Sequence, residues 1–152
     1  MSVRSIGDAK YFVTFIDDFS RKVWAFPLKS KDQVLSVFKQ FQASVERETK
    51  KKIKCIRTNN GGEYIGPFDA YCREQGIRHQ FTPPKTPQLN GIVERMNRTI
   101  VERVRCLLSH AKLPKNFWGE ALMTAVYLRE NYPLDTQNDL SLLANTESNQ
   151  IC

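Results

Sequence analysis

Two apolar runs, "KYFVTFID" (10–17) and "KVWAFPL" (22–28), flank the polar stretch "DDFSR" (17–21). Both runs are rich in aromatic and β-branched residues, which suit a pleated, half-buried surface. With a short polar connection between them they read as one β-hairpin over 10–28. That hairpin is the strongest constraint on the fold, because it commits the chain to a sheet with an antiparallel part and to covering that sheet's apolar face. Pro27 has no N–H to donate, so the second strand belongs at a sheet edge.

The cover follows directly. Ser30 to Gln33 fits a capping box, and Val34, Leu35, Phe38, Phe41 and Val45 fall on one face of a helix reaching about Lys50. "IKCIRT" (53–58) is a short apolar strand ended by the turn residues of "RTNNGGEY". Pro67 suits the first turn of a helix, with Phe68, Tyr71 and Cys72 on its apolar side and Gly76 as its stop. "IRHQFT" (77–82) reads as a strand, and "PPKTPQLNG" (83–91) as a loop too punctuated for a regular element. A long amphipathic helix is predicted from Ile92 to about Ala111, with Val93, Met96, Ile100, Val104, Leu107 and Leu108 inward. A last helix starts near Pro114 and buries Phe117, Trp118, Ala121, Leu122, Ala125 and Leu128. After Asn131 the text turns polar without a sustained period. Residues 1–131 thus read as one domain and 132–152 as an irregular tail. The order β-β-α-β-α-β-α-α implies an α/β fold with a mixed sheet flanked by helices.

Composition narrows the function classes. The 152 residues carry a net charge of +7, which favours a polyanionic partner. Basic residues gather at Lys50, Lys51, Lys52 and Lys54, and at Lys85 with Arg95, Arg98, Arg103 and Arg105. The four cysteines have no Cys-x-x-Cys spacing, which argues against structural zinc and against a disulfide framework. No stretch approaches the ~20 apolar residues of a membrane span, and no signal-peptide pattern opens the chain. An intracellular protein, nuclear or cytoplasmic, is expected.

Taken alone, the candidate residues have ordinary explanations beside chemical ones. Glu94 follows the Pro-rich loop, where a carboxylate also suits a helix N-terminus. Asp17 and Asp18 sit in a hairpin turn, where Asp serves local hydrogen bonding. Glu63 follows Gly-Gly and fits a solvated position. His79 and His110 have no sequence neighbour that suggests a nucleophile.

Four ordered blocks, "YFVTFIDDFSRKVW", "IRTNNGGEY", "TPQLNGIVERMNRTI" and "LPKNFWGEALMTAVYL", resemble the integrase core of copia-type retrotransposons, relatives of retroviral integrases. The resemblance covers about Ser5 to Leu128 and implies a ribonuclease-H-like fold. It implies DNA cutting and joining with two divalent metals, Mg²⁺ or Mn²⁺, held by Asp, Asp and Glu. Such a pair, about 3.5–4 Å apart, clamps the attacking and leaving oxygens of an in-line displacement. Hard anionic oxygens suit those ions, and one carboxylate can bridge both.

On this resemblance Glu94 is the Glu of the family's "NG-x-x-E-R" block. Asn59 stands where "R-S/T-D-N-G-G-E" has its Asp. The first Asp belongs on a strand ahead of the hairpin. Asp8 lies in the turn that follows that strand, so the strand, implied to be central between 10–17 and 53–58, is missing. Asp17 and Asp18 match the family's own hairpin turn and not a metal position. The fold is therefore expected to have an open middle and marginal stability, unless residues 1–9 or another chain fill the gap. Lys85, Asn90, Arg95 and Arg98 are implied DNA contacts, and a homo-oligomer without membrane attachment is implied as the assembly. With one of three anions left, a catalytically inactive integrase core fragment is expected. A domesticated DNA- or protein-binding module, and an enzyme completed by an upstream Asp strand, are the alternatives.

Overall fold

The computed structural model describes residues 9–59, 61–81, 87–127 and 140–148, with the backbone alone at 87–90, 127 and 147–148. The predicted hairpin forms: β1 (Tyr11–Asp17) pairs antiparallel with β2 (Val23–Leu28), Phe12 opposite Pro27. The turn is closed by the Asp17 carboxylate, which accepts from the Ser20 N–H at 3.0 Å and the Ser20 hydroxyl at 2.6 Å. Asp18 pairs with Arg21 at 3.0 Å and Arg57 at 3.6 Å. Both aspartates therefore serve the turn, as their position suggests.

Helix α1 (Val34–Thr49) follows a single 3₁₀ turn at Lys31–Gln33. The capping box is altered: Ser30 makes no side-chain cap bond, and Gln33 reaches back to the Lys29 N–H at 2.8 Å. Strand β3 (Ile53–Thr58), helix α2 (Pro67–Glu74) and strand β4 (Arg78–Phe81) come next. Gly76, which ends α2, takes φ +73°, the left-handed conformation glycine adopts freely. Helix α3 (Pro87–His110) and helix α4 (Trp118–Tyr127) complete the helical cover.

The sheet runs β2-β1-β5-β3-β4, with β2 at an edge as Pro27 requires. Its central member, β5 (Leu140–Ser148), corrects two expectations. The middle of the sheet is not missing, and residues 140–148 of the presumed irregular tail are a strand. β5 pairs antiparallel with β1 (Thr14 opposite Asn145) and parallel with β3 (Ile56 opposite Leu142). The remainder of the tail, 132–139 and 149–152, lies outside the described residues.

The burial explains why this stretch escaped pattern reading. Leu140, Leu142 and Ala144 enter the core under α1 and α2, while Leu143 enters the core under α3 and α4. A strand covered on both faces shows a short apolar run instead of alternation. Bounded by Ser141 and Asn145 and only three long, "LLA" carries no period to detect. The two cores lie on opposite faces of the sheet. One stacks Phe15 on Phe41 (4.6 Å between centroids) with Trp24 and Phe38 around them; the other encloses Trp118, Phe12 and Ile100.

Candidate functional site

Strand β3 delivers Asn59 to the end of the sheet, where its side chain is exposed. The Asn59 carbonyl oxygen accepts from the Gly61 N–H at 2.9 Å, closing a tight turn into the 3₁₀ segment Gly62–Tyr64 and then α2. So the turn leads into a helix and does not return as a hairpin. Gly61 suits it because of close approach: a Cβ there would lie 2.8 Å from the Asn59 oxygen and 2.6 Å from a Glu63 carboxylate oxygen. Glu63 thus sits beside Asn59.

Helix α3 corrects a second boundary. It begins at Pro87, not Ile92, so residues 87–91 of the expected loop are helical. Pro fits a first helical turn, since its missing N–H would be unpaired there anyway. Glu94 is consequently about two turns inside the helix, and stabilisation of a first turn no longer accounts for it. Its exposed carboxylate lines a cavity of about 360 Å³ with Phe12, Asn97, Arg98, Glu102 and Arg105. Arg95 is also exposed and lies back over Gly91, where a Cβ would come 3.2 Å from its guanidinium nitrogen. Lys85 and the side chain of Asn90 lie outside the described residues.

Beneath Glu94's helix the contacts are buried and neutral. The Thr14 hydroxyl lies 3.5 Å from the Asn97 amide oxygen and 3.4 Å from the Asn145 carbonyl oxygen. Asn97 and Asn145 are 8% and 9% exposed. Neither Asn97 nor Asn145 was singled out from sequence. Asn97 carried a signal in its spacing, one turn beyond Glu94 on the same helical face; Asn145 carried none.

Glu94, Asn97 and Arg98 share the cavity, while Asn59 does not line it. Among the described residues no three His, Cys, Asp or Glu side chains converge in a way that could hold a metal ion. Besides the Glu102 carboxylate on the same helix, the oxygens offered near Glu94 belong to amides and a hydroxyl, which are neutral and poor bridges. Two dications held close by so little negative charge would repel one another with little compensation. The donor set does not fit a divalent pair.

A further polar chain ties β3 to α2 through His79 on β4. The Thr58 hydroxyl is 2.7 Å from His79 Nε2, His79 Nδ1 is 2.9 Å from Asp69, and Asp69 is bonded to Arg73. The order resembles a hydrolase triad, but Thr58 is 1% exposed and out of reach of a substrate. The Arg73 guanidinium beside Asp69 holds its carboxyl below the usual range, with His79 adding to the effect. Burial pushes the His79 imidazole down, partly opposed by Asp69. With Asp69 ionised, a neutral His79 donates from Nδ1 and accepts the Thr58 proton at Nε2. The chain braces the end of β3 from which Asn59 projects.

A five-stranded mixed sheet in the order β2-β1-β5-β3-β4, flanked by helices, is the ribonuclease-H-like architecture of the integrase catalytic cores to which this chain is similar. The profile of the integrase core domain matches residues 1–87, and the chain belongs to that family. Its relatives place it with copia-type retrotransposons. It is 60% identical over 134 residues to the retrovirus-related Pol polyprotein from transposon TNT 1-94 of Nicotiana tabacum, covering 88% of this chain and 10% of that protein. It is 42% identical over 131 residues to the corresponding polyprotein from transposon RE2 of Arabidopsis thaliana, covering 86% of this chain and 9% of the relative. The chain therefore spans about a tenth of the length of these curated relatives. In three dimensions it is similar to a chain of the simian T-cell lymphotropic virus intasome in complex with a PP2A regulatory subunit, with TM-score 0.67 and 22% identity, covering 92% of this chain and 49% of that one. It is also similar to the HTLV-2 integrase catalytic core domain in complex with magnesium, with TM-score 0.61 and 21% identity, covering 92% and 87%. Among the described residues no helix is long and apolar enough to cross a membrane.

Proposed function

We propose that this chain is an integrase core that binds DNA through the face of α3 and does not carry out polynucleotidyl transfer. The observation behind the loss of chemistry is what the strands present: Asn59 after β3 and Asn145 on β5 offer amides, and the carboxylates of the α3 cavity, Glu94 and Glu102, come from the helix alone. A two-metal displacement needs anionic ligands on both ions. Mg²⁺, named in similar HTLV-2 core structures, and Mn²⁺, implied with it by the family, are accordingly not held as a productive pair here.

Binding makes a smaller demand. Arg95 and Arg98 are exposed within four residues of α3, and Arg98 and Arg105 border the same cavity as Glu94. Guanidinium groups so placed suit successive phosphates, and counterion release would make the affinity salt-dependent and tolerant of sequence. Homo-oligomer formation belongs to the same reading, supported by the trimeric and dimeric forms named for the HTLV-2 core.

The test has two parts. A Mn²⁺-dependent joining assay on DNA ends should give no product. Product that disappears in Glu94→Gln would overturn the loss of chemistry. DNA titrations across a salt series should show tight binding at low salt, and replacing Arg95 and Arg98 by Ala should lower the salt slope by roughly 2. An unchanged slope would remove the α3 face from the interface.

A further inference from the structure

The parallel pairing of β3 with β5 puts Ile56 beside Leu142 and Arg57 beside Leu143. Two residues further along each strand stand Asn59 and Asn145. Neighbouring strands lie ~4.8 Å apart, and side chains alternate between faces. Ile56 and Leu142 share the core under α1 and α2, whereas Leu143 faces α3 and α4. The alternation therefore turns Asn145 toward the face that α3 covers, and Asn59, the residue that follows β3, stands at the adjoining strand end. On the other side of β5, Asn145 is paired with Thr14, whose hydroxyl reaches Asn97 one turn beyond Glu94. Thr146, the next residue, points the opposite way and bonds the Tyr64 hydroxyl at 2.5 Å.

We propose that Asn145, delivered by the central strand β5, is the third member of the site formed with Asn59 and Glu94, and that this site is neutralised in charge while its frame is intact. The proposal rests on the reading of the chain as an integrase core without transfer chemistry, and it deepens that reading. Asn and Asp have nearly the same shape, so restoring Asp at two strand positions changes charge with little change in volume. Two new carboxylates on adjacent parallel strands, with Glu94 on the helix above, would supply three anionic oxygen donors. Affinity for a hard dication rises with the number of charged ligands. Thr14, whose hydroxyl contacts the Asn145 backbone carbonyl and the Asn97 side chain, would remain as a neutral neighbour of the new carboxylate.

Mn²⁺ binding, followed by calorimetry and by the electron paramagnetic resonance signal of free Mn²⁺, tests this without reference to DNA joining. The expected result is weak binding by the native chain and an affinity gain on the order of a hundredfold in N59D/N145D. The gain should be lost when Glu94→Gln is added. N59D alone, at an exposed position, should show only a small part of it, and N59D/T146D should do no better than N59D. Circular dichroism accompanies each titration. If N59D/N145D is unfolded without metal and folds on addition of Mn²⁺, the proposal is supported, because binding then drives folding. It is overturned if the folded double variant gains nothing, if N59D alone gains as much, or if the double variant stays unfolded with Mn²⁺ present. Joining activity in the native chain would sink the functional reading, whereas these metal titrations address the geometry of Asn145 alone.

Discussion

At the scale of single residues, the site divides by what each position reveals in text. Glu94 and Asn59 were legible because each sits in a motif whose neighbours are distinctive. His79, Asn97 and Asn145 were not, because their roles come from strands and helices far apart in sequence: His79 meets Thr58 and Asp69, and Asn145 lies in β5 beside β1. The His79 link predicts a pH effect with a definite sign. Burial lowers the imidazole below its ordinary 6.5, so the unfolded chain binds the proton more readily. Stability contributed by neutral His79 is thus present above about pH 6.5 and is lost as pH falls toward the folded-state value. Asp69, held below its ordinary 3.8, adds a further loss in the same direction at lower pH. Melting temperatures of the native chain and of His79→Gln should diverge in slope between pH 7 and 5, the native chain being steeper. Equal slopes would mean that His79 does not titrate with folding.

At the scale of elements, the hairpin, α1 and the edge position of β2 followed from pattern, since each shows one buried face and one wet one. The start of α3 was misplaced because Pro87 reads as a loop signal and is equally a first-turn residue. Strand β5 was invisible for the opposite reason, being apolar toward both faces. Its energetic weight follows from that burial. Leu142 is fully enclosed, and Leu142→Ala should cost about 2–5 kcal/mol by removing packing that the sheet cannot recover. Met123→Ala, on the exposed side of α4 at 45% exposure, should stay within about 0.5 kcal/mol. Urea denaturation of both variants checks the contrast, and a mild Leu142→Ala would imply that the sheet stands without β5.

At the scale of the whole molecule, two cores share one sheet, and β1 and β5 contribute to both. The two layers should therefore unfold together. The two tryptophans report separately, Trp24 packed against the α1 side and Trp118 buried on the α4 side. Thermal melts of Trp24→Phe and Trp118→Phe, each followed by the remaining fluorophore, should each overlay the far-ultraviolet transition of the same variant. A fluorescence transition displaced from it would show two separable layers. The placement of β5 also has a consequence during synthesis. Of the elements described, the one between β1 and β3 leaves the ribosome last. Until Leu140–Ser148 emerges, the facing edges of β1 and β3 have no partner among the described residues that precede it, and the Tyr11–Ser148 pairing closes a loop over every element between them. Such a chain waits longer than a helical bundle with an open seam, and in that interval any neighbouring copy with a free strand is a competitor for the slot.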